Sequence, residues 1–376
     1  MNISSETLET ETADLPWTVK RLAPALGAEV TGIDLATLAG HDIPRLTQLL
    51  HKHMVLFFPG QFLSAEDQIG FGRHFGHLEG HPNLKERTPE EHPELFRLAA
   101  SSGGIADEWH TDLTFLDRPS LMSILNMKTC PAVGGDTMWS NLFAAYEGLS
   151  PPLRDLCDGL SALHDAHPHG REDRMTIHPV VRIDPDSGRK ALYVSEHFTR
   201  RIVEMSAQES DHLLSYLTNW VKQPVFTVRY NWSAGTIGMW DNRFTQHYVL
   251  NDFTGERVIE RVTVMGDQVN PPPAKYPPFP ESAKRSAMSR HDRQLVRHLR
   301  AAEEEAGVDA AYRRELVLAS ALLALEADGG AGGALAPWRG PRYLAGAAPQ
   351  FHRRDSHRRG LSGDCTGLPD PVYRQS

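Results

Sequence analysis

Short apolar or alternating segments follow one another along most of this chain and end at glycine, proline or other turn residues. Such segments are typical of β-strands, and no regular series of helices is interleaved with them. The pattern favours a β-sandwich or β-barrel with a few flanking helices, an α+β protein that is mostly β. The candidate strands are residues 17–22, 28–33, 54–58, 95–99, 121–127, 137–140, 179–183, 190–194, 225–230, 236–240 and 262–265.

Three segments carry helix signals. The apolar side chains of residues 44–53 have helical spacing. Ser64 is followed three residues later by Asp67, and Ser206 by Glu209. Each pair resembles a capping box, in which two side chains satisfy the first free backbone N–H groups of a helix. We therefore expect a helix to begin after each serine.

Composition divides the chain into three parts. Residues 1–16 are polar and are expected to form a flexible leader, whereas residues 17–268 hold the candidate strands and are expected to form one domain. The prolines that follow predict a stiff linker. The remainder of residues 269–376 is basic and rich in Gly, Ala and Pro, which predicts a poorly ordered extension without a catalytic part.

Charge and cysteine content exclude several classes. The formal charge is −9, but residues 269–376 hold 16 lysines and arginines against 12 acidic residues, which leaves residues 1–268 at −13. A body this acidic repels polyanions, so nucleic-acid binding is not expected. The apolar runs are too short to cross a bilayer, and the first residues lack a secretory signal. Three widely spaced cysteines fit a reducing compartment, so we expect a cytoplasmic protein without a membrane partner.

Trp109-His110-Thr111-Asp112 is the sharpest candidate for metal binding. If the segment is a strand, His110 and Asp112 project to the same face. His247 lies 137 residues after His110 and would complete two histidines and one carboxylate. That set binds iron(II) in oxygenases and leaves coordination positions open. Taken singly, the motifs also fit a surface His–Asp pair near a turn and a structural histidine.

Arg257 and Arg261 are four residues apart. If residues 258–265 form a strand, both side chains can approach one face. A guanidinium group suits bidentate contact with a carboxylate or a sulfonate, so the pair is a candidate anion site. For either arginine alone, a solvated charge or a structural ion pair remains the alternative.

In their order along the chain, these motifs resemble the iron(II)- and 2-oxoglutarate-dependent dioxygenases of the taurine dioxygenase (TauD/TfdA) family. The resemblance covers roughly residues 17–267, with a shortened stretch near residues 165–178. It is carried by Leu26-Gly27-Ala28-Glu29-Val30, Phe58-Pro59-Gly60-Gln61, His110-Thr111-Asp112, Gly134-Gly135-Asp136-Thr137, His178-Pro179-Val180-Val181, Trp240-Asp241-Asn242-Arg243 and the Arg257/Arg261 pair.

The resemblance implies a double-stranded β-helix, or jelly-roll, core. It also implies Fe(II), the cosubstrate 2-oxoglutarate and O2 as cofactors, with His110, Asp112 and His247 as the catalytic metal ligands. Related halogenases lack the carboxylate ligand, so the presence of Asp112 favours hydroxylation, with release of succinate and CO2.

The resemblance further implies that Thr137 and Arg257 hold the distal carboxylate of 2-oxoglutarate. Arg261 would face the anionic group of the primary substrate, with His81 as a second contact. The physical argument agrees, because a buried carboxylate needs a charge partner and a neutral donor. Arg257 follows His247 by ten residues, about one fewer than the family suggests, which a shorter turn would absorb.

Two departures concern the substrate. Leu84 stands where taurine dioxygenase has a tyrosine, and Ile105-Ala106 stand where it has an Asp-Asn pair. The loss of polar groups favours an anionic substrate more apolar than taurine. Alkyl sulfates, alkyl sulfonates and aryloxyalkanoates all fit a small anionic organic substrate of this kind.

Several alternatives stay open. The same metal centre can serve desaturation or decarboxylation in biosynthesis, or the chain can bind metal and 2-oxoglutarate as a sensor without turnover. A zinc hydrolase with two histidines and a carboxylate is a further alternative, but it would not need Thr137 and Arg257. We expect His164, His167 and His169 to be loop residues without a role in the site, and we expect a homo-oligomer.

Overall fold

The computed structural model describes residues 16–84, 87–102, 106–269 and 275–280. Contacts divide the chain into Met1–Arg300 and Ala301–Ser376, and the second unit lies entirely outside the described residues. Nearly all of the predicted leader, residues 1–16, and most of the predicted extension, residues 269–376, also lie outside them. The three-part division of the chain therefore stays a prediction.

All the predicted strands are present, some with shifted ends. In chain order the strands are β1 (Thr18–Arg21), β2 (Ala28–Thr31), β3 (Val55–Phe58), β4 (Leu95–Ala99), β5 (Ser120–Thr129), β6 (Thr137–Asn141), β7 (Ser161–Ala166), β8 (Arg171–Pro179), β9 (Val181–Ile183), β10 (Lys190–Leu192), β11 (Thr199–Ile202), β12 (Thr227–Tyr230), β13 (Ile237–Asp241), β14 (Thr245–Val249) and β15 (Val258–Met265).

Two sheets form the core. Seven strands pair in the order β1-β2-β3-β13-β5-β15-β4, and β12-β6-β14 form a sheet of three. An aromatic core joins the sheets. The ring of Trp139 on β6 lies 5.2 Å from that of Phe57 on β3 and 5.7 Å from that of Trp240 on β13, measured between centroids. The two sheets therefore form a sandwich, and the expectation of a mostly β fold is confirmed.

The helices are few and flank the sheets. In both predicted capping boxes the serine hydroxyl, of Ser64 or Ser206, accepts a hydrogen bond from the backbone N–H three residues later, so both helix starts are confirmed. No helix within the described ranges is long and apolar enough to span a membrane. The α-helices are α1 (Ile43–His53), α2 (Ala65–Arg73), α3 (Leu142–Glu147), α4 (Pro151–Cys157) and α5 (Ala207–Trp220).

Four strands escaped prediction: β7, β8, β11 and β14. The first three form a separate sheet in the order β11-β7-β8. Most of the residues of β8 are polar and partly exposed, so no apolar alternation marks that strand. The expectation that His164 lies in a loop is wrong, because it lies on β7 and is buried. His167 and His169 do lie outside the strands, in a single 3-10 turn.

Candidate active site

His110, Asp112 and His247 meet in the structure, and all three are buried. Asp112 Oδ1 lies 3.8 Å from His110 Nε2 and 3.9 Å from His247 Nε2. Among the residues that the structure describes, this is the only group of three or more potential His, Cys, Asp or Glu ligands with its atoms within 4.8 Å of one another. Two imidazoles and one carboxylate around one point are the donor set that suits Fe(II) with open positions.

Backbone pairing brings the two histidines together. The N–H of His110 donates to the carbonyl of His247 at 3.1 Å, and the N–H of His247 donates to the carbonyl of His110 at 2.8 Å. The expectation that His110 and Asp112 share a strand is wrong, because His110 forms only an isolated bridge. The chain turns directly afterwards, where Leu113 has a left-handed φ of 59°. The turn, rather than strand alternation, places Asp112 beside both histidines.

The three side chains are in the protonation states that bind a metal ion. Burial alone would raise the pKa of Asp112, but Arg261 and the two histidines hold it well below its usual value. Burial lowers the pKa of both His110 and His247. His110 Nδ1 lies 2.7 Å from the carbonyl oxygen of Glu108. Since a carbonyl only accepts, Nδ1 carries the proton and Nε2 keeps its lone pair for a metal.

Thr137 and Arg257 form a second polar group, which we call the Arg257 site. The Nε of Arg257 donates to the carbonyl of Gly135 at 3.1 Å, and its Nη2 donates to the Thr137 hydroxyl at 3.4 Å. The indole N–H of Trp232 donates to the same hydroxyl at 2.8 Å. Burial lowers the pKa of Arg257 to about 10, so it remains charged at neutral pH. A buried cation beside a hydroxyl suits a carboxylate.

A third polar group, the Arg261 site, consists of Arg261, His81 and Arg87. The Nη1 of Arg261 donates to Asp112 Oδ1 at 2.7 Å, whereas its buried Nε has no hydrogen-bond partner among the described residues. The backbone N–H groups of Asn83 and Leu84 both donate to His81 Nδ1. Burial, reinforced by Arg261, lowers the pKa of His81 to about 3. The neutral imidazole therefore carries its proton on Nε2 and offers a donor there.

One cavity of about 470 Å³ gathers these groups. Its walls include all seven residues that the family resemblance singles out: His81, His110, Asp112, Thr137, His247, Arg257 and Arg261. Apolar side chains cover much of the rest, among them Leu84, Phe96, Leu98, Leu113 and Phe198. Of the two departures from taurine dioxygenase, Leu84 and Ala106 do line the cavity, while Ile105 lies outside the described residues.

Three further residues line the cavity without any indication in the sequence: Arg87, His169 and His197. Arg87 Nη1 is buried and, within the ranges described, has no partner. The ring of His169 lies 4.9 Å from that of His81. The expectation that His169 has no role in the site stays a prediction, although its side chain lines the cavity. These residues lie on loops far apart in the chain, so no local spacing could have brought them to notice.

A β-sandwich that holds two histidines, one carboxylate and two buried arginines in one cavity defines the class of iron- and 2-oxo-acid-dependent oxygenases. Comparison with known proteins makes the assignment specific. The model of the family described as "Taurine catabolism dioxygenase TauD, TfdA family" matches residues 18–263. The chain belongs to this family.

Individual relatives agree with the family. An alpha-ketoglutarate-dependent sulfate ester dioxygenase from Pseudomonas putida is 36% identical over 288 residues, which cover 70% of this chain and 95% of that protein. The crystal structure of a taurine dioxygenase from Burkholderia xenovorans has 36% identity and a TM-score of 0.62, with 69% of this chain and 94% of that chain covered. The structure of AAD-2 in complex with Mn(II) and N-oxalylglycine has 25% identity and a TM-score of 0.57, covering 67% and 98%.

These findings confirm the jelly-roll core and the enzyme class. The protein is an Fe(II)- and 2-oxoglutarate-dependent dioxygenase that uses O2. A zinc hydrolase and a non-catalytic sensor are not favoured. The roles of the individual site residues remain proposals, which the distances and hydrogen bonds described above support.

Proposed function

We propose that this dioxygenase hydroxylates a small organic anion with an apolar body, a sulfate ester or a sulfonate, as 2-oxoglutarate becomes succinate and CO2. The observation that carries the proposal is that one cavity contains the buried triad and two separate arginine sites. Arg257 directly precedes strand β15 and Arg261 lies four residues further on, and four residues of extended chain span roughly 13 Å. Arg257 and Arg261 can therefore hold two different anions, the cosubstrate and the substrate.

In this proposal His110, Asp112 and His247 hold Fe(II). The iron supplies the activation of O2 and the oxidation of a C–H bond. The chain supplies two neutral imidazoles, a charged carboxylate and partly apolar walls.

The Arg257 site would take the distal carboxylate of 2-oxoglutarate. Arg257 is held by Gly135 and Thr137, and Thr137 by Trp232, before any ligand arrives. A donor pair fixed in this way pays little ordering entropy on binding and sets the orientation of the keto acid end.

The Arg261 site would take the anionic head of the substrate. The cavity is lined by Arg261, Arg87 and His81, whose guanidinium and imidazole groups carry N–H donors. A sulfate ester or sulfonate offers three terminal oxygens pointing in three directions, whereas a carboxylate offers two in one plane. Buried donors of this kind require acceptors. The sulfur oxyanion therefore fits better, and it is the head group named for the Pseudomonas putida relative.

Hydroxylation of the carbon that bears a sulfate ester oxygen would have a definite product. The new hydroxyl loses its proton as the carbonyl forms, the C–O bond to sulfate breaks, and sulfate leaves with the bonding electrons. An alkyl sulfate would thus give an aldehyde and inorganic sulfate.

The test is succinate formation from 2-oxoglutarate with Fe(II) and ascorbate in air, using hexyl sulfate, hexanesulfonate and hexanoate as matched anions. We expect the two sulfur oxyanions to stimulate succinate release more than hexanoate, and hexyl sulfate to yield hexanal and sulfate. A preference for hexanoate would indicate that the primary substrate is a carboxylate, such as an aryloxyalkanoate. Absence of stimulation by every anion would overturn the proposal, and an alkene product would establish desaturation. The homo-oligomer and the cytoplasmic location stay predictions.

A further inference from the structure

Trp240-Asp241-Asn242-Arg243 is a motif of the family resemblance to which the proposed reaction gives no role. We propose that Trp240 and Asn242, together with Ser123, are positioning residues that fix the rotation of the Asp112 carboxylate. They would keep Oδ1 facing the two histidines and Oδ2 turned away. The inference rests on the metal site of the proposed function.

Three hydrogen bonds form an unbroken chain to the carboxylate. The indole N–H of Trp240 donates to Asn242 Oδ1 at 2.9 Å, and Asn242 Nδ2 donates to Ser123 Oγ at 2.8 Å. The Ser123 hydroxyl then donates to Asp112 Oδ2 at 2.8 Å. Trp240, Asn242, Ser123 and Asp112 are all at least 96% buried, so water does not compete for these groups.

The direction of the chain is fixed by its first member. An indole N–H can only donate, so the oxygen of Asn242 must face Trp240 and its amide nitrogen must face Ser123. Ser123 Oγ receives that hydrogen and turns its own toward Asp112 Oδ2. The usual freedom of an amide to flip and of a hydroxyl to rotate is thereby removed.

The sheet and a turn place the members of this chain. Ser123 on β5 pairs directly with Trp240 on β13 in the register of the larger sheet. Arg243 donates twice to the Asp241 carboxylate, from Nε at 3.0 Å and Nη2 at 2.7 Å, and this closes the turn that buries Asn242. Asp241 and Arg243 thus shape the turn, whereas Trp240 and Asn242 belong to the hydrogen-bond chain that ends at Asp112.

The two oxygens of Asp112 consequently have different roles. Oδ1 lies near both histidine Nε2 atoms and accepts from Arg261, while Oδ2 accepts from Ser123. With the hydroxyl removed, Oδ2 becomes a buried charged acceptor without that donor, and the carboxylate gains freedom to rotate. Outer contacts of this kind typically contribute 10- to 100-fold to metal affinity.

The experiment measures anaerobic Co(II) affinity by calorimetry on the full chain, in wild type and in Ser123→Ala, Asn242→Ala and Trp240→Phe. We expect about 10- to 100-fold weaker binding in Ser123→Ala, a smaller loss in Asn242→Ala and the smallest in Trp240→Phe. The order follows the number of hydrogen bonds between each residue and the carboxylate. A role in packing alone would give the reverse order, because the larger side chains leave the larger voids.

Ser120→Ala is the matched control. Ser120 is equally buried on the same strand, but its hydroxyl points to the Asp112 backbone carbonyl, at 3.4 Å. We expect it to bind Co(II) within twofold of wild type, and thermal unfolding identifies any variant that has lost its fold. Unchanged affinity in Ser123→Ala, or equal losses in both serine variants, would overturn the inference. Failure of the wild type to bind Co(II) would instead contradict the metal site itself.

Discussion

The Arg257 and Arg261 sites belong to one cavity and their arginines lie four residues apart, yet the two guanidinium groups are held differently. Arg257 donates to Gly135 and to Thr137, at the start of strand β6. Arg261 extends from strand β15, but His81 and Arg87 beside it come from a loop. In the part of the chain that the structure describes, Arg261 Nε and Arg87 Nη1 have no partner.

The difference matches what each site is proposed to bind. The cosubstrate is the same in every turnover, and its donors are held at the starts of two inner strands: Thr137 begins β6, and Arg257 directly precedes β15. The substrate must be distinguished from other anions, and its donors come largely from loops, which carry specificity in many folds. The hydrogen bonds of Arg257 preorganise its site for one fixed ligand.

Asp112→Ala removes the centre on which both sites depend, so it has the largest expected effect. Substrate-stimulated succinate formation should fall to background while circular dichroism and thermal unfolding still report a folded protein. The control is Asp117→Ala, which removes an exposed carboxylate from the same loop. Full activity of Asp112→Ala would mean that this carboxylate is not a ligand.

Arg257→Ala and Arg261→Ala separate the two sites. Loss of a buried charged contact costs roughly 2–3 kcal/mol, about 100-fold in affinity. Arg257→Ala should raise the KM for 2-oxoglutarate by that factor with little change for the sulfate ester. Arg261→Ala should do the opposite and should also lower kcat, because Arg261 donates to Asp112 Oδ1. The comparison breaks if either variant raises both KM values equally.

Arg87→Gln sharpens the description of the Arg261 site. The substitution removes one of the side chains proposed to donate to the substrate head group. We expect about a tenfold rise in the KM for hexyl sulfate, which corresponds to the loss of one charge-assisted hydrogen bond. The KM for 2-oxoglutarate should not change. Arg97→Gln is the control, since Arg97 is exposed and lies 3.6 Å from Glu260. A similar rise in both variants would indicate a general charge effect.

Acid should destabilise the fold through the buried His178 on strand β8. The imidazole donates from Nε2 to the carbonyl of Leu116 at 3.1 Å, and burial lowers its pKa to about 4 despite that hydrogen bond. In the unfolded chain the His178 imidazole has an ordinary pKa of about 6.5, so it takes up a proton below that pH, whereas the folded protein resists protonation until about pH 4. The free energy of unfolding therefore falls as the pH drops from 6.5 toward 4.

Between pH 7 and pH 5.5 this single group should lower the free energy of unfolding by about 1 kcal/mol. Urea denaturation at the two pH values measures the decrease in the free energy of unfolding. In His178→Gln this decrease should be smaller than in wild type by about 1 kcal/mol. His212→Gln, which removes an imidazole from an exposed helix position, is the control for the substitution itself. Equal pH dependence in His178→Gln and wild type would contradict the assignment.

The smallest effect is expected from truncation. Every lining residue of the cavity within the described ranges precedes Val262, so we propose that removing residues 281–376 leaves activity within about twofold. Residues 275–280 should be kept, because Lys275 donates to the carbonyl of Asp155 and the N–H of Phe279 to that of Val203. An inactive truncated enzyme would show that the extension takes part in the reaction.

Local signals in the sequence were sufficient for much of the fold. The capping boxes at Ser64 and Ser206 were predictable because all their partners lie within three residues. Apolar segments marked the buried strands for a similar reason. The polar strands β8 and β14 carried no such signal, since pairing with neighbouring strands, rather than their own composition, decides their conformation.

By itself the sequence determined the dioxygenase family, the candidate metal ligands and the two arginines, because these residues occur in short motifs in a fixed order. Only the tertiary structure decided that a turn, and not a strand, presents Asp112. It also decided the proton position on His81, the entry of Arg87 into the cavity and the hydrogen-bond chain through Ser123. Those features depend on sheet register and on contacts between residues distant in the chain, which leave no periodic trace in the sequence.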